Sequence, residues 1–315
     1  MNRDQIIKIA MVVCIVVLLC TVIITSTGFF GESGNNGYAN ADQYSPGDAV
    51  ISEGIRNLDI HWAGGRVTVA YHAENTVTLQ ETAKRLLSDD EKMQWWADGE
   101  TLRIRFMRPG IRLNMPEKEL TVTLPEGIIL QEAFFETTSG EIIIPEMVTD
   151  TLRAASTSGS IQAYAEAKKA EIASTSGNTL VRLYGKTEEV RINSTSGSIT
   201  VEAEHAGIID AGSTSGSIRI TAEEGENVKA GSTSGSIDTA LKKTGVLSIS
   251  TTSGSVTATL PEEPGFTADI QTTSGKVDYS VPLTRNGNAY VCGDGSAQIS
   301  IGTTSGNVRL NAPEK

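Results

Sequence analysis

The triplet Thr-Ser-Gly occurs nine times from residue 138 onward and constrains the fold more than any other feature of the sequence. Its glycines lie at intervals of 19, 18, 20, 19, 19, 19, 21 and 31 residues. A period near 20 residues with strand-like content is typical of a stacked β-solenoid, in which each repeat forms one coil. The sequence therefore predicts an all-β fold, a single-stack β-solenoid with coils of about 19 residues, wound as a right-handed β-helix.

Alignment of the nine copies on the glycine predicts which residues face the core. The positions five and seven residues before the glycine are apolar in every copy, as in Ile192 and Val190. The positions two and four residues after it are mainly Ile, Val, Leu or Ala, as in Ile218 and Ile220. Alternation of this kind marks strands with one buried face, so we expect two strands in each coil.

The triplet itself predicts a corner. The serine and the residue two positions after the glycine are both expected to face inward, yet they are three residues apart, so the chain must bend between them. Glycine permits the unusual backbone angles of such a bend, and a buried serine hydroxyl must be hydrogen-bonded. The predicted structural turn ladder consists of Ser139, Gly140, Ser158, Gly159, Ser176, Gly177, Ser196, Gly197, Ser215, Gly216, Ser234, Gly235, Ser253, Gly254, Ser274, Gly275, Ser305 and Gly306.

Outward-facing charges alternate in sign from one copy to the next. If neighbouring coils pair in parallel register about 4.8 Å apart, opposite charges lie side by side and oppose a slip by one coil. The charges concerned are the column Arg153, Glu171, Arg191, Asp210 and Lys229, and the pairs Arg182 with Glu202 and Arg219 with Asp238.

Residues 1–25 are predicted to form a cytoplasmic tip and a membrane anchor, with residues 6–25 in contact with the membrane. The run 9–24 is almost wholly apolar and, with the two isoleucines before it, reaches the minimum length of a transmembrane helix. No Lys or Arg follows Lys8 until Arg56, which places the N-terminus in the cytoplasm and the remainder outside the cell. A cleaved signal peptide is the alternative.

The rest of the chain divides by composition. Residues 26–49 are rich in Gly, Asn and Ser and are predicted to be a flexible linker. Residues 50–132 alternate like β-strands and are expected to start or cap the solenoid, which occupies residues 133–312. The long last interval contains an insertion at residues 282–298, expected either to cover the terminal coil or to make a specific contact.

All three tryptophans, Trp62, Trp95 and Trp96, fall in the region before the repeats. Large aromatic side chains most often bury area, so core or cap packing is the main expectation. The aromatic pair Trp95 and Trp96, beside a hairpin turn predicted at residues 97–99, leaves sugar binding as an alternative.

Charge and composition exclude several classes of function. Without Arg3, Lys8 and Asp4 of the predicted anchor, the chain has 24 basic and 37 acidic residues, a net charge of −13. This charge disfavours nucleic acid as a binding partner. Cys292 is the only cysteine after the anchor, so no disulfide framework is expected. With only three scattered histidines, we predict no catalytic, metal-binding or cofactor-binding residues.

The segment ELTVTLP, the following TTSGEI and the repeated STSGSI coils resemble the bacterial candidate-adhesin family of β-strand-repeat proteins of unknown function, which includes LiaG-like envelope proteins. The resemblance covers residues 50–312. It implies a protein that is membrane-anchored or exported, and it implies no catalytic residues.

The sequence favours a non-catalytic scaffold or binding module, anchored in the cell membrane and displayed outside the cell, with a cell-wall or envelope protein as its partner. One alternative is an enzyme acting on polysaccharides, which needs paired carboxylates. Asp238 and Asp278 share a column but are expected to be separated by Thr257. The other alternative is end-to-end self-association through unpaired strand edges.

Overall fold

In the computed structural model of the chain, the structure is described for residues 38–52, 54–110, 115–261, 265–287 and 289–313. The predicted anchor and the first part of the linker lie outside these residues. Within the described ranges, the structure contains no helix whose length and apolar character would let it span a bilayer. The described residues form two compact units, 38–178 and 179–313.

Both units are built from β-strands, and the all-β prediction is confirmed. The first unit also has one 3₁₀ helix, Ala41–Gln43. Its strands are β1 (Ser45–Pro46), β2 (Ala49–Ile51), β3 (Asn57–Trp62), β4 (Arg66–His72), β5 (Val77–Ala83), β6 (Gln94–Asp98), β7 (Thr101–Arg105), β8 (Lys118–Pro125), β9 (Leu130–Thr137), β10 (Glu141–Ser156) and β11 (Ile161–Ser174). The strands of the second unit are β12 (Thr179–Ser194), β13 (Ile199–Ser213), β14 (Ile218–Ser232), β15 (Ile237–Thr251), β16 (Val256–Thr259), β17 (Gly265–Thr272), β18 (Val277–Tyr279), β19 (Thr284–Asn286), β20 (Ala289–Gly293), β21 (Ala297–Thr303) and β22 (Val308–Asn311).

The long strands each run from just after one Thr-Ser-Gly triplet to just before the next, so the two strands predicted in each coil are joined into one. Neighbouring long strands pair in parallel, and residues one repeat apart lie side by side, as Ile199, Ile218 and Ile237 do. The predicted in-register stacking is therefore confirmed within each unit.

The inward-facing columns are also as predicted. The apolar positions five and seven residues before the glycine are buried in both units, and Ile270 is the one half-buried member. Ile199, Ile218 and Ile237, two residues after their glycines, are each about 1% exposed. The core of each coil is therefore filled by Ile, Val, Leu and Ala from strands with alternating faces.

The coils at the start of the first unit do not stack in chain order. β3 pairs in parallel with β7 on one side and β9 on the other, and β4 lies likewise between β8 and β10. The β3–β4 coil therefore lies between a coil that follows it in sequence and the regular repeats. β6 pairs antiparallel with β7, and β5 pairs antiparallel with β8. These antiparallel strands cover edges that would otherwise expose backbone groups.

The end of the second unit departs from chain order in the same way. β21 pairs in parallel with both β15 and β17, and β22 pairs with both β16 and β18. The last coil in sequence therefore lies between the seventh and eighth copies of the repeat. The insertion supplies β19 and β20, and β20 pairs antiparallel with the outer edge of β17. Re-entry of the last coil leaves β21 and β22 paired on both edges.

Candidate functional site

The nine Thr-Ser-Gly triplets lie at bends between strands, but the predicted burial of the serine hydroxyls is wrong. The serine before each glycine is exposed in all nine copies. The strand ends earlier than predicted, and the bend already includes the threonine and serine of the triplet. The exposed serines are Ser139, Ser158, Ser176, Ser196, Ser215, Ser234, Ser253, Ser274 and Ser305.

The residue three positions before each glycine is Ser or Thr in every copy, and it is this residue that is buried in eight copies and half-buried at Thr272. We call this set the hydroxyl column. Strand alternation was a signal for it, since this position lies on the same face of the strand as the buried positions five and seven residues before the glycine. Its members are Thr137, Ser156, Ser174, Ser194, Ser213, Ser232, Thr251, Thr272 and Thr303.

Seven of the nine members of the hydroxyl column form hydrogen bonds at the corners, whereas the buried hydroxyls of Ser156 and Ser194 have no partner among the described residues. The N–H groups of Gly216 and Gly235 donate to the hydroxyls of Ser213 and Ser232, each at 2.8 Å. Three of the four threonine members also donate to a glycine carbonyl of the adjacent coil. These contacts are Thr251 to Gly235 at 3.3 Å, Thr303 to Gly254 at 3.1 Å and Thr272 to Gly306 at 3.0 Å.

The corner glycines are required for space rather than for backbone angle. None of the corner glycines is among those with positive φ in the described residues. A Cβ at Gly235 would lie less than 3.0 Å from the carbonyl oxygen of Gly216, and a Cβ at Gly254 would lie as close to the carbonyl oxygen of Gly235. Such a contact is closer than real Cβ atoms allow, so a side chain here would push neighbouring coils apart.

The outward charged columns are largely paired between coils, as predicted. Distances between the charged atoms of adjacent coils are 3.0 Å for Arg153 and Glu171, 2.6 Å for Arg182 and Glu202, 3.3 Å for Arg219 and Asp238, and 3.9 Å for Asp210 and Lys229. Arg191 differs, because it pairs at 2.6 Å with Glu189 of its own strand. Because these pairs are exposed and screened by solvent, they add little to stability, and their main effect is on register.

The carboxylate pair considered for polysaccharide cleavage is further apart than the sequence predicts. Asp238 lies beside Thr257, Thr257 beside Arg309, and Arg309 beside Asp278. Three strand spacings of about 4.8 Å therefore separate the two aspartates, rather than two. The non-sequential last coil places a guanidinium next to Asp278.

A pocket of about 200 Å³ lies in the first unit, lined mainly by aromatic and arginine side chains. We call it the aromatic–arginine pocket. The ring centroids of Tyr38 and Tyr44 are 4.6 Å apart, and those of Tyr44 and Trp96 are 5.7 Å apart. The guanidinium carbon of Arg103 lies 6.0 Å from the Trp96 ring, and that of Arg105 lies 5.8 Å from the Tyr38 ring. Asp98 contributes a carboxylate to the lining.

The pocket is assembled by strand pairing. Trp96 on β6 lies opposite Arg103 on β7, and Arg103 lies beside Asp59 on β3. Asp59 Oδ2 accepts from Arg103 at 2.7 Å and from Arg105 at 3.0 Å. The predicted hairpin turn at residues 97–99 was a signal for the Trp96–Arg103 pair. Tyr38 and Tyr44 were missed because they belong to the predicted linker, whose last residues form ordered structure.

A buried ionic network lies behind the arginines. His61 Nε2 is 3.0 Å from Asp59 Oδ1, and His61 Nδ1 is 2.7 Å from Glu136 Oε2. Burial works against ionisation of Asp59, but hydrogen bonds from His61 and Arg105 hold the pKa of Asp59 well below its usual range. Burial also opposes the charge on His61, yet the hydrogen bonds with Asp59 and Glu136 raise the His61 pKa.

Lys118 is a fully buried lysine at the start of β8. Its ammonium group is 2.8 Å from Glu81 Oε1, donates to the carbonyl oxygens of Glu91 and Phe106, and lies 5.1 Å from the Trp62 ring centroid. Burial lowers the Lys118 pKa, and the ion pair with Glu81 opposes that shift. A buried charge with several partners is costly to disrupt.

The three tryptophans differ in burial. Trp62 is 2% exposed and packs in the core, whereas Trp95 and Trp96 are half-buried and Trp96 lines the pocket. Cys292 is buried on β20. Among the described ranges, no group of three or more His, Cys, Asp or Glu side chains is placed to hold a metal ion.

The fold and its corners define a β-solenoid protein of Thr-Ser-Gly repeats. The family model of Toastrack DUF4097 matches residues 55–311, and the chain belongs to this family. A search of curated proteins finds no match.

Two solved structures are similar over most of the chain. A candidate cell adhesion protein from Clostridium sporogenes ATCC 15579 is 13% identical, over 85% of this chain and 100% of that one, with a TM-score of 0.20. A candidate adhesin from Bacteroides fragilis NCTC 9343 is 13% identical, over 84% of this chain and 96% of that one, with a TM-score of 0.34.

Proposed function

We propose that this protein is a non-catalytic binding scaffold at the cell envelope. Residues 6–25 anchor it in the cell membrane as a single span, the N-terminus is cytoplasmic, and the solenoid is displayed outside the cell. The coils wind in the right-handed sense that nearly all parallel β crossovers adopt. A cell-wall or envelope protein component is the partner.

One observation carries the scaffold role: the polar chemistry of the repeats is used in contacts between coils. Seven of the nine members of the hydroxyl column bond at the corners, the glycines allow close stacking, and most of the outward charges pair with neighbouring coils. Such contacts hold a repetitive surface in a fixed geometry. A rigid surface presents binding groups at low entropic cost, which suits a binding protein.

The two alternatives have less support. The position of Arg309 between Thr257 and Asp278 works against an enzyme that uses Asp238 and Asp278 as its carboxylate pair. End-to-end association requires open edges at both ends of a stack, but β5 and β6 cover both strands of the β7–β8 coil. In the second unit, the edge strand β18 has only three residues, so it offers few backbone groups for pairing with another copy.

The test is retention of the full-length chain, purified in detergent, on washed cell-wall and membrane fractions from a bacterium that encodes it. We expect retention that saturates with protein concentration and resists moderate salt, because the chain is acidic and does not depend on non-specific charge attraction. Recovery of all the protein in the unbound fraction would refute a binding role. A chain with residues 1–25 deleted separates wall binding from insertion into membranes.

A further inference from the structure

The aromatic–arginine pocket has the features of a ligand site, and its lining residues all precede the first Thr-Ser-Gly triplet. Its volume of about 200 Å³ is below the range of roughly 300–1,000 Å³ for drug-sized ligands. A pocket of this size takes one ring-sized group rather than an extended molecule. Its lining comes from residues before β1 and from β6 and β7, which meet only in the folded unit.

The pocket lining includes a phenol hydroxyl with no hydrogen-bond partner among the described residues. The Tyr38 hydroxyl is buried and makes no hydrogen bond to the described residues. Burial raises the pKa of the Tyr38 phenol, so it stays protonated and is available as a donor at physiological pH. A buried hydroxyl without a hydrogen bond is unfavourable, and a ligand that supplies an acceptor would satisfy it.

The charges of the pocket are balanced within the protein. Arg103 pairs with Asp59 at 2.7 Å and with Asp98 at 3.2 Å, and Arg105 pairs with Asp59 at 3.0 Å. The site therefore has no strong net charge that would require an ionic ligand. Asp98 and Arg103 instead offer an acceptor and a donor side by side at the half-exposed rim.

Aromatic rings, a neighbouring acceptor and donor, and balanced charge together match the chemistry of a sugar ring. A pyranose has an apolar C–H face that packs on an aromatic ring, and adjacent hydroxyl groups that both donate and accept hydrogen bonds. We propose that the aromatic–arginine pocket binds one pyranose ring of a glycan, with its C–H face against the aromatic row and its hydroxyls bonded to Asp98, Arg103 and Tyr38. This inference rests on the proposed binding function and names its ligand class.

The proposal is tested by saturation-transfer NMR on the full-length chain in detergent, with N-acetylglucosamine, glucose and glucuronic acid as probes and sodium sulfate as an anion competitor. We expect saturable binding of the neutral sugars that sulfate does not displace. Tyr38→Phe removes only the hydroxyl and should weaken binding at least fivefold. Asp98→Asn should weaken it similarly, and Trp96→Ala should abolish it.

Tyr279→Phe is the matched control, because Tyr279 is an exposed tyrosine of the second unit. It removes the same hydroxyl group and should leave binding unchanged. An unchanged thermal midpoint in Tyr38→Phe excludes loss of folding as the cause of weaker binding. Absence of sugar binding by the wild-type chain, binding of glucuronic acid and sulfate alone, or equal binding by wild type and the three pocket variants would each overturn the proposal.

The two proposals fail in different ways. If the wild-type chain binds none of the sugars but is retained on cell-wall fractions, the pocket assignment is wrong while the scaffold role stands. If the wild-type chain binds sugars in solution but is retained on no envelope fraction, the pocket assignment stands and the proposed function is wrong.

Discussion

The hydroxyl of Thr303 donates to the carbonyl oxygen of Gly254 at 3.1 Å, although 49 residues separate them in sequence. This bond places the ninth corner directly on the seventh, with the eighth corner on its far side. The repeat spacing predicts the reverse order for the last two coils.

Cysteine pairs test this order. Thr257 and Arg309 are register partners, so cysteines there should lie about 4.8 Å apart, within the range that a disulfide spans. The Thr257→Cys, Arg309→Cys double variant should therefore oxidise readily to an intramolecular disulfide, detected as a mobility shift on non-reducing gels. The native cysteines are first replaced, Cys14 and Cys20 by Ser and Cys292 by Ala.

The control pair is Thr257→Cys with Asp278→Cys in the same background. These positions are two spacings apart, about 9.6 Å, which exceeds the disulfide limit of about 7 Å. Efficient crosslinking of this pair and not of the first would show that the coils stack in chain order.

The hydroxyl column predicts an asymmetry between two serines of one corner. Ser232→Ala removes the acceptor of the buried Gly235 N–H and should lower the free energy of unfolding by about 1–3 kcal/mol. Ser234→Ala changes an exposed side chain and should be within about 0.5 kcal/mol of wild type. Urea unfolding measures both.

Ser232→Thr is the conservative variant, because threonine occupies the equivalent position before four other glycines. It should be close to wild type in the same unfolding measurement. Greater destabilisation by Ser234→Ala than by Ser232→Ala would contradict the assignment of the column.

The buried pair of Lys118 and Glu81 predicts strong coupling. Lys118→Met leaves a carboxylate that is 5% exposed without its ion-pair partner, and should destabilise by about 3–5 kcal/mol. Adding Glu81→Gln removes that charge and keeps an acceptor for the Met93 N–H, so the double variant should recover part of the loss. A double-mutant cycle from thermal or urea unfolding checks this, and additive effects would show that the pair is not coupled.

The network around His61 predicts a pH dependence of stability. The folded-state pKa of His61 is raised, so its contribution is fully present below the unfolded pKa of about 6.5 and is lost as the pH rises through the folded pKa. The groups facing it are Asp59, Glu136 and the guanidinium of Arg105. Asp59, whose pKa is depressed, stays ionised throughout this range.

The measurement compares wild type with His61→Asn at pH 6 and pH 9. The wild type should exceed the variant by about 1–3 kcal/mol at pH 6, and the difference should shrink at pH 9. His205→Asn is the control, because that histidine is exposed. A difference that grows with pH would show that His61 is buried as the neutral form.

Much of the fold follows from the repeat itself. The parallel register, the buried columns and the paired outward charges were all predictable, because strand alternation fixes which face is buried and a constant period sets equivalent residues side by side. The bend at each triplet was also predictable. The residue that supplies the buried hydroxyl was predicted two positions too late, since the strand ends before the triplet rather than within it.

The order of the coils and the aromatic–arginine pocket were decided only by the tertiary structure. Every corner carries the same hydroxyl and glycine chemistry, so Thr303 can stack on Gly254 as well as Thr272 can, and local sequence does not distinguish the two. The choice depends on covering strand edges, which is a property of the whole unit. Tyr38 and Arg105 are likewise brought together only when β1, β6 and β7 pair, because nothing in either local sequence specifies the other as its neighbour.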